Sequence, residues 1–199
     1  LYVVTEDWYF LSHRFDLACA ARDAGYEVWV ASRYGEHQGR VAAAGMHPVP
    51  VPFTRSWRRP LTDLRSIVVL ARAMRRIRPH LVHNVALKPV LYGSVAARLA
   101  GVPVVLNALT GLGYLYTNEE HRLGPLRSLV TVALRRSLQR EHWHVLLQNR
   151  DDLDLLVTAG VVTPANCTII AGSGLGTAAQ SVTADPGRSP PVIVLVART

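Results

Sequence analysis

The sequence predicts an α/β fold, a doubly wound parallel sheet followed by the first strand of a second domain. Three observations lead there. Aliphatic runs such as Val192-Ile193-Val194-Leu195-Val196 lack polar–apolar alternation and read as strands buried on both faces. Between such runs lie segments of helical periodicity, most stopped by Gly or Pro, so strand and helix alternate along the chain. Residues 172–191 then shift to Gly, Ser, Thr, Ala and Pro, the composition of an interdomain linker.

The elements follow in order. Residues 2–4 form a first strand, and 12–24 a helix with Ser12 as candidate N-cap and Gly25 at its end. A second strand spans 27–31, a short helix 36–44 ends at Gly45, and a third strand covers 46–51. Residues 61–77 are helical and stop before Pro79; a fourth strand at 81–84 precedes a helix over 89–100, closed by Gly101. The fifth strand, 102–107, leads into a loop rich in glycine and aromatics. A long helix over 125–140 follows, with Pro125 suited to its first turn. A sixth strand (143–148), a helix (150–158) ending at Gly160 and a seventh strand (166–170) complete the first domain. No internal repeat is present. The predicted division is a first domain over 1–171, a linker over 172–191, and the start of a truncated domain over 192–199. A buried parallel strand needs neighbours and a crossover, so the strand at 192–196 implies chain beyond Thr199.

With 199 residues, 49% of them hydrophobic, the chain can bury one sizeable core. A mean hydropathy of +0.15 favours contact with a membrane or a further domain. No apolar run approaches the roughly 18–20 residues of a spanning helix, and no secretory leader is evident, which predicts a cytoplasmic protein. Cys19 and Cys167 sit far apart in apolar surroundings and read as core thiols.

Net charge is +8, and residues 54–80 alone, with eight arginines and one acid, Asp63, contribute +7. Such concentration points to an anionic partner: lipid headgroups, phosphates or nucleic acid. The plain alternative is a solvated helix face in a protein whose only lysine is Lys88. On a helical wheel Arg65, Arg72, Arg75 and Arg76 share one arc, while Leu64, Ile67, Leu70, Ala71, Met74 and Ile77 line the opposite side. Val68 falls within the arginine arc, and Trp57 precedes it beside Arg58 and Arg59. Cations interleaved with apolar residues suit a membrane surface. No helix-turn-helix, RNA-recognition or zinc pattern accompanies the charge, so lipid is favoured over nucleic acid.

Ligands of an open α/β sheet bind at the carboxyl ends of its strands. The first such loop, Thr5-Glu6-Asp7-Trp8-Tyr9-Phe10, has no glycine, which argues against a dinucleotide. Gly172-Ser173-Gly174-Leu175-Gly176 resembles part of that fingerprint but precedes a linker rather than a helix. Glu6 and Asp7, followed by Ser12-His13-Arg14, suit a base or the binding of ligand hydroxyls. Alternatively, Asp7 and Ser12 cap local turns and the aromatics pack. His83 is a candidate ligand contact or a structural histidine, and Lys88, beside a helix start, is a candidate phosphate contact. In the loop after strand five, which opens at Asn107, Gly111 and Gly113 free the backbone, Thr110 offers a hydroxyl, and Tyr114 and Tyr116 offer faces for a sugar ring. His80 and His83 would face opposite sides of a strand, and His142 and His144 lack a neighbouring acid or thiol pattern, so no metal site is expected.

Four stretches, "EDWYFLSHRFDLACAARDAGYEV", "LVHNVALKPVLYGSVAARLAGVP", "NALTGLGYLYT" and "IIAGSGLG", carry a resemblance. Together they resemble the amino-terminal, acceptor-side domain of a GT-B glycosyltransferase of the retaining family 4 (group 1). Within it, the likeness is to enzymes acting on polyprenyl-diphosphate-linked sugars. The resemblance implies a nucleotide-sugar donor, foremost a UDP-sugar, a lipid-linked or polysaccharide acceptor, retention of anomeric configuration, and no cofactor or metal. It implies an acceptor cleft built from Glu6, Asp7, Trp8, His13, His83, Lys88, Asn107, Thr110, Gly111, Gly113 and Tyr114. Arg198 in "VLVART" matches the family's donor-diphosphate arginine, with Gly172, Ser173 and Gly174 nearby; the family's Lys and Glu-x7-Glu would fall beyond Thr199. Two departures stand out: Leu109 occupies the place of a family histidine, and Gly174-Leu175-Gly176 lacks the family's aspartate. The expected function is cell-envelope glycan synthesis at the inner face of the membrane, with residues 1–199 inactive alone. A sugar-nucleotide epimerase or a non-enzymatic membrane-binding module is the alternative.

Overall fold

The computed structural model describes residues 1–54, 59–111 and 124–172. Seven strands form one all-parallel sheet in the order β3-β2-β1-β4-β5-β6-β7. They are β1 (Tyr2–Glu6), β2 (Trp29–Arg33), β3 (His47–Pro50), β4 (Leu81–Val85), β5 (Val104–Leu109), β6 (Trp143–Leu147) and β7 (Cys167–Ile169). The chain winds outward from β1 to β3, then returns to pair β4 on the other side of β1. This reversal between β1 and β4 is the switch point at which a crevice opens in doubly wound sheets.

Strand alternation assigns the core to two faces. Val3, Ala31, Val82 and Val105 meet Leu70, Ala71 and Met74 of α4 (Pro60–Ile77) and Ala96 and Ala97 of α5 (Leu87–Ala100). Further along, Leu109, Val145 and Leu147 pack with Leu134 and Leu138 of α6 (Gly124–Leu138) and Leu156 of α7 (Arg150–Thr158). On the opposite face, Tyr2, Val4 and Val30 pack with Phe10 of α1 (Asp7–His13), Ala18 of α2 (Phe15–Asp23) and Val41 of α3 (Gln38–Ala43).

The first helical segment departs from expectation. It begins at Asp7, directly after β1, and breaks at Arg14 into two helices. Ser12 is therefore no N-cap: it lies inside α1, and its Oγ donates back toward the carbonyls of Trp8 (3.0 Å) or Tyr9 (3.2 Å). The early start follows from Asp7, whose carboxylate accepts the Trp8 N–H at 2.8 Å and ties the turn to Gly35 and His37. Helix α5 likewise starts two residues early, at Leu87, behind Ala86, whose φ of 75° and ψ of 165° lie where side chains are rarely accommodated.

Helix α4 keeps Pro60 in its first turn and stops at Arg78 in the left-handed region before Pro79. Leu70, Ala71 and Met74 face the core as expected, but Leu64 is 59% exposed. Polar residues take the inward positions of that turn instead: Ser66 donates to the Pro52 carbonyl at 3.0 Å, and Asp63 pairs with Lys88. The expected strand at 192–196 and the linker lie outside the described residues.

Candidate active site

A cavity of about 560 Å³ opens at the carboxyl ends of β5, β6 and β7, beside His83 of β4 and against the α1–α2 junction. Its polar lining includes Ser12, His13, Arg14, His83, Thr110 and Gln148; Leu109, Leu146 and Ile170 are among its apolar walls. An apolar hollow with a few convergent polar groups is the usual form of a small-molecule site.

Of the residues singled out from sequence, His13, His83, Thr110 and Gly172 line this cavity. His13 stacks on Tyr9 with ring centroids 4.1 Å apart, and its Nδ1 lies 2.6 Å from Ser12 Oγ. His83 projects from β4 against Tyr2, 5.2 Å between centroids, and is 4% exposed. Burial first, then the positive charges of Arg14 and the chain's terminal amine, hold its pKa down at about 3, so the ring is neutral near pH 7. Its Nε2 is buried without a hydrogen-bond partner. Leu109, at the family histidine's position, is buried in the core and also borders the cavity. Gly111, exposed at φ 124°, continues the rim after Thr110.

Glu6, Asp7, Trp8, Lys88 and Asn107 do not line the cavity. Glu6 makes a charge-assisted pair with Arg33, whose Nη2 lies 2.7 Å from both carboxylate oxygens. Asp7 is buried and accepts from the backbone N–H groups of Trp8, Gly35 and His37. Burial pushes its pKa upward, but those three donors and the His37 charge outweigh burial and hold the carboxyl below its usual range. Glu6 ties the end of β2, and Asp7 the loop that follows it, to the end of β1. Trp8 is partly exposed, edge-on to Tyr9.

Lys88 is buried, 3.0 Å from Asp63 and 2.9 Å from the Thr54 carbonyl, so its ammonium joins α4, α5 and the loop after β3. Asn107 lies under α5, where its Oδ1 accepts from Asn84 Nδ2 (2.9 Å) and Ser94 Oγ (3.1 Å). Arg59, Arg65, Arg72, Arg75 and Arg76 are exposed on or beside α4. Gly113, Tyr114, Ser173, Gly174, Arg198, Trp57 and Arg58 lie outside the described residues.

The sequence named Arg14 only within the run Ser12-His13-Arg14, with no role of its own, and Gln148 was missed. Gln148 follows β6, and its position after a strand's last residue was the available signal. For Arg14 the signal was a lone cation between two amphipathic helical segments just past the first strand.

The glycosyl transferase 4-like family profile matches residues 1–141, and the chain belongs to that family. It is 21% identical over 168 residues to the N,N'-diacetylbacillosaminyl-diphospho-undecaprenol alpha-1,3-N-acetylgalactosaminyltransferase of Campylobacter jejuni, covering 80% of this chain and 44% of that enzyme. Its fold is similar to a glycosyltransferase from Rickettsia africae (TM-score 0.57, 10% identity, 85% of this chain and 41% of that one). It is similar also to HepE from Anabaena, solved with UDP and glucose (0.55, 12%, 86% and 43%), and to MurG from Acinetobacter baumannii (0.51, 15%, 88% and 46%). The chain spans less than half the length of each of these proteins.

Proposed function

We propose that the chain is the acceptor-side domain of a retaining glycosyltransferase. The whole protein would transfer a sugar from a nucleotide-sugar donor, foremost a UDP-sugar, to a lipid-linked or polysaccharide acceptor in cell-envelope glycan synthesis. The observation that carries this reading is the cavity where β5 to β7 end, neutral His83 of β4 among its lining groups, in a chain of the glycosyl transferase 4-like family. The Campylobacter relative acts, by its name, on a diphospho-undecaprenol-linked sugar, and the Anabaena neighbour was solved with UDP and glucose, which supports both halves of the reaction. Residues 172–191 would be the hinge and 192–199 the first strand of a donor-binding domain in which Arg198 grips the diphosphate.

In such a transfer the departing diphosphate carries the developing charge, and most of the groups that stabilise it would belong to the donor side. The acceptor side holds and orients a hydroxyl. The lining groups suit this: Thr110 and Gln148 are neutral hydrogen-bonding groups, and the neutral His83 ring binds a hydroxyl without competing for its proton. Glu6 and Asp7 are engaged in Arg33 and backbone contacts, which favours this reading over an epimerase needing free carboxylates in the cleft. The exposed arginines of α4, with exposed Leu61, Leu64 and Val68, support a seat on the anionic inner face of a membrane.

Calorimetric titration of UDP, UDP-hexosamines and NAD into this chain and into the longer protein tests the reading. Sugar-nucleotide binding by the longer protein, much weaker in residues 1–199, is expected. A well-folded longer protein that binds no sugar nucleotide would overturn it in favour of a non-enzymatic module.

A further inference from the structure

Arg14 sits at the junction of α1 and α2 and donates from Nη1 to the His13 carbonyl at 2.8 Å. Its Nε is buried without a partner, and no carboxylate among the described residues lies within salt-bridge reach of it. A guanidinium held in a partly buried wall with an unmet donor loses solvation without recovering it from the protein. The second unmet group of the same cavity is His83 Nε2, on a side chain 4% exposed. Arg14 also begins α2, whose first turn has no side-chain cap. The first N–H to bond within that helix is Ala18, to the Arg14 carbonyl at 2.9 Å, which leaves those of Phe15, Asp16 and Leu17 at the cavity wall.

We propose that Arg14 binds a phosphoryl group of a diphosphate substrate in this cavity. Nε is closed to solvent in this structure, so the side chain turns toward the cavity for its Nε–Nη2 edge to offer a phosphoryl oxygen pair two parallel donors, and the amino-terminal end of α2 adds its partial positive charge. His83, in the tautomer bearing hydrogen on Nε2, donates a third bond without adding charge once its ring, closed to solvent here, turns to the ligand. Asp16 is the one acid among the lining residues, and it is exposed, so solvent screens it more than it screens the Arg14 guanidinium. The proposal deepens the transferase reading and rests on it for the diphosphate's source, which is either the acceptor lipid or the nucleotide donor.

The test is calorimetry of the 199-residue chain with inorganic pyrophosphate, geranyl diphosphate and UDP, repeated on Arg14→Gln and Arg14→Lys, with the His83 ring followed by NMR. Pyrophosphate is expected to bind the wild type and move the His83 resonances, with affinity about tenfold or more weaker in Arg14→Gln and partly restored in Arg14→Lys. Tighter binding of geranyl diphosphate than UDP assigns the site to the lipid, and the reverse assigns it to the donor. Absence of pyrophosphate binding by the wild type, or equal binding by folded Arg14→Gln, overturns the proposal. Should Arg14→Gln not fold, unmoved His83 resonances in the wild type overturn it alone. Diphosphate binding through Arg14 in a protein that transfers no sugar would leave this inference standing and remove the transferase reading.

Discussion

Lys88 Nζ lies 3.0 Å from Asp63 Oδ1, and both side chains are largely withdrawn from water between α4 and α5. The ammonium also reaches the Thr54 carbonyl and approaches the Tyr92 ring, 5.7 Å to its centroid. A buried pair of this kind is costly to break because the survivor remains charged and desolvated. Lys88→Met is expected to destabilise the fold by about 3–5 kcal/mol in urea unfolding, and Lys88→Met with Asp63→Leu by much less. Equal losses in the single and double variants would show that the pair does not behave as a coupled unit.

Gly93 of α5 rests on Asn84 of β4 with no room for a side chain: a Cβ there would stand 2.0 Å from Asn84 Oδ1. Gly93→Ala must displace Asn84 and break its bond to Asn107, at about 1–3 kcal/mol. Asn84→Ser in the Gly93→Ala background removes the obstructing atoms. Thermal unfolding of the two variants should show that partial recovery.

His83 makes stability depend on pH. The folded ring has a pKa near 3 against an ordinary 6.5, so between these values the unfolded chain binds more protons. The contribution is fully present above pH 6.5 and is lost as pH falls toward 3, by about 1.4 kcal/mol per unit. Denaturant midpoints of wild type and His83→Phe between pH 7 and 4 check this: the variant's slope should be shallower.

The exposed face of α4 combines Leu61, 82% exposed, and Leu64 with Arg65 and Arg72. Replacing Arg65 and Arg72 by Glu should weaken binding to vesicles containing anionic lipid by about fivefold for each charge removed. Leu61→Ser with Leu64→Ser should weaken it further without altering the salt dependence. Vesicle sedimentation that is indifferent to all four changes would remove the membrane role of α4.

The sheet was legible because its central strands are buried on both faces: Val3, Val4, Val82, Val85 and Val105 announce themselves by lacking alternation. The α1 boundary was not, because its cap is tertiary: Asp7 binds Gly35 and His37, 28 and 30 residues away, as well as Trp8. Lys88 read as a ligand contact because its partner, Asp63, lies 25 positions earlier, beyond any local pattern. His83 left both readings open for a physical reason, being deeply buried like a structural residue yet unpartnered like a functional one. Arg14 was named only within the run Ser12-His13-Arg14, because its surroundings, not its spacing, distinguish it from a solvated arginine.

Turnover tests most directly whether this fold is the acceptor half of a sugar-transfer enzyme. The longer protein would be incubated with labelled UDP-sugars and a polyprenyl-diphosphate-linked sugar, and the product's anomeric configuration read by NMR. Transfer with retention by the longer protein and none by residues 1–199 is expected. A well-folded longer protein that transfers no sugar to any lipid-linked acceptor, or turnover by residues 1–199 alone, would contradict it.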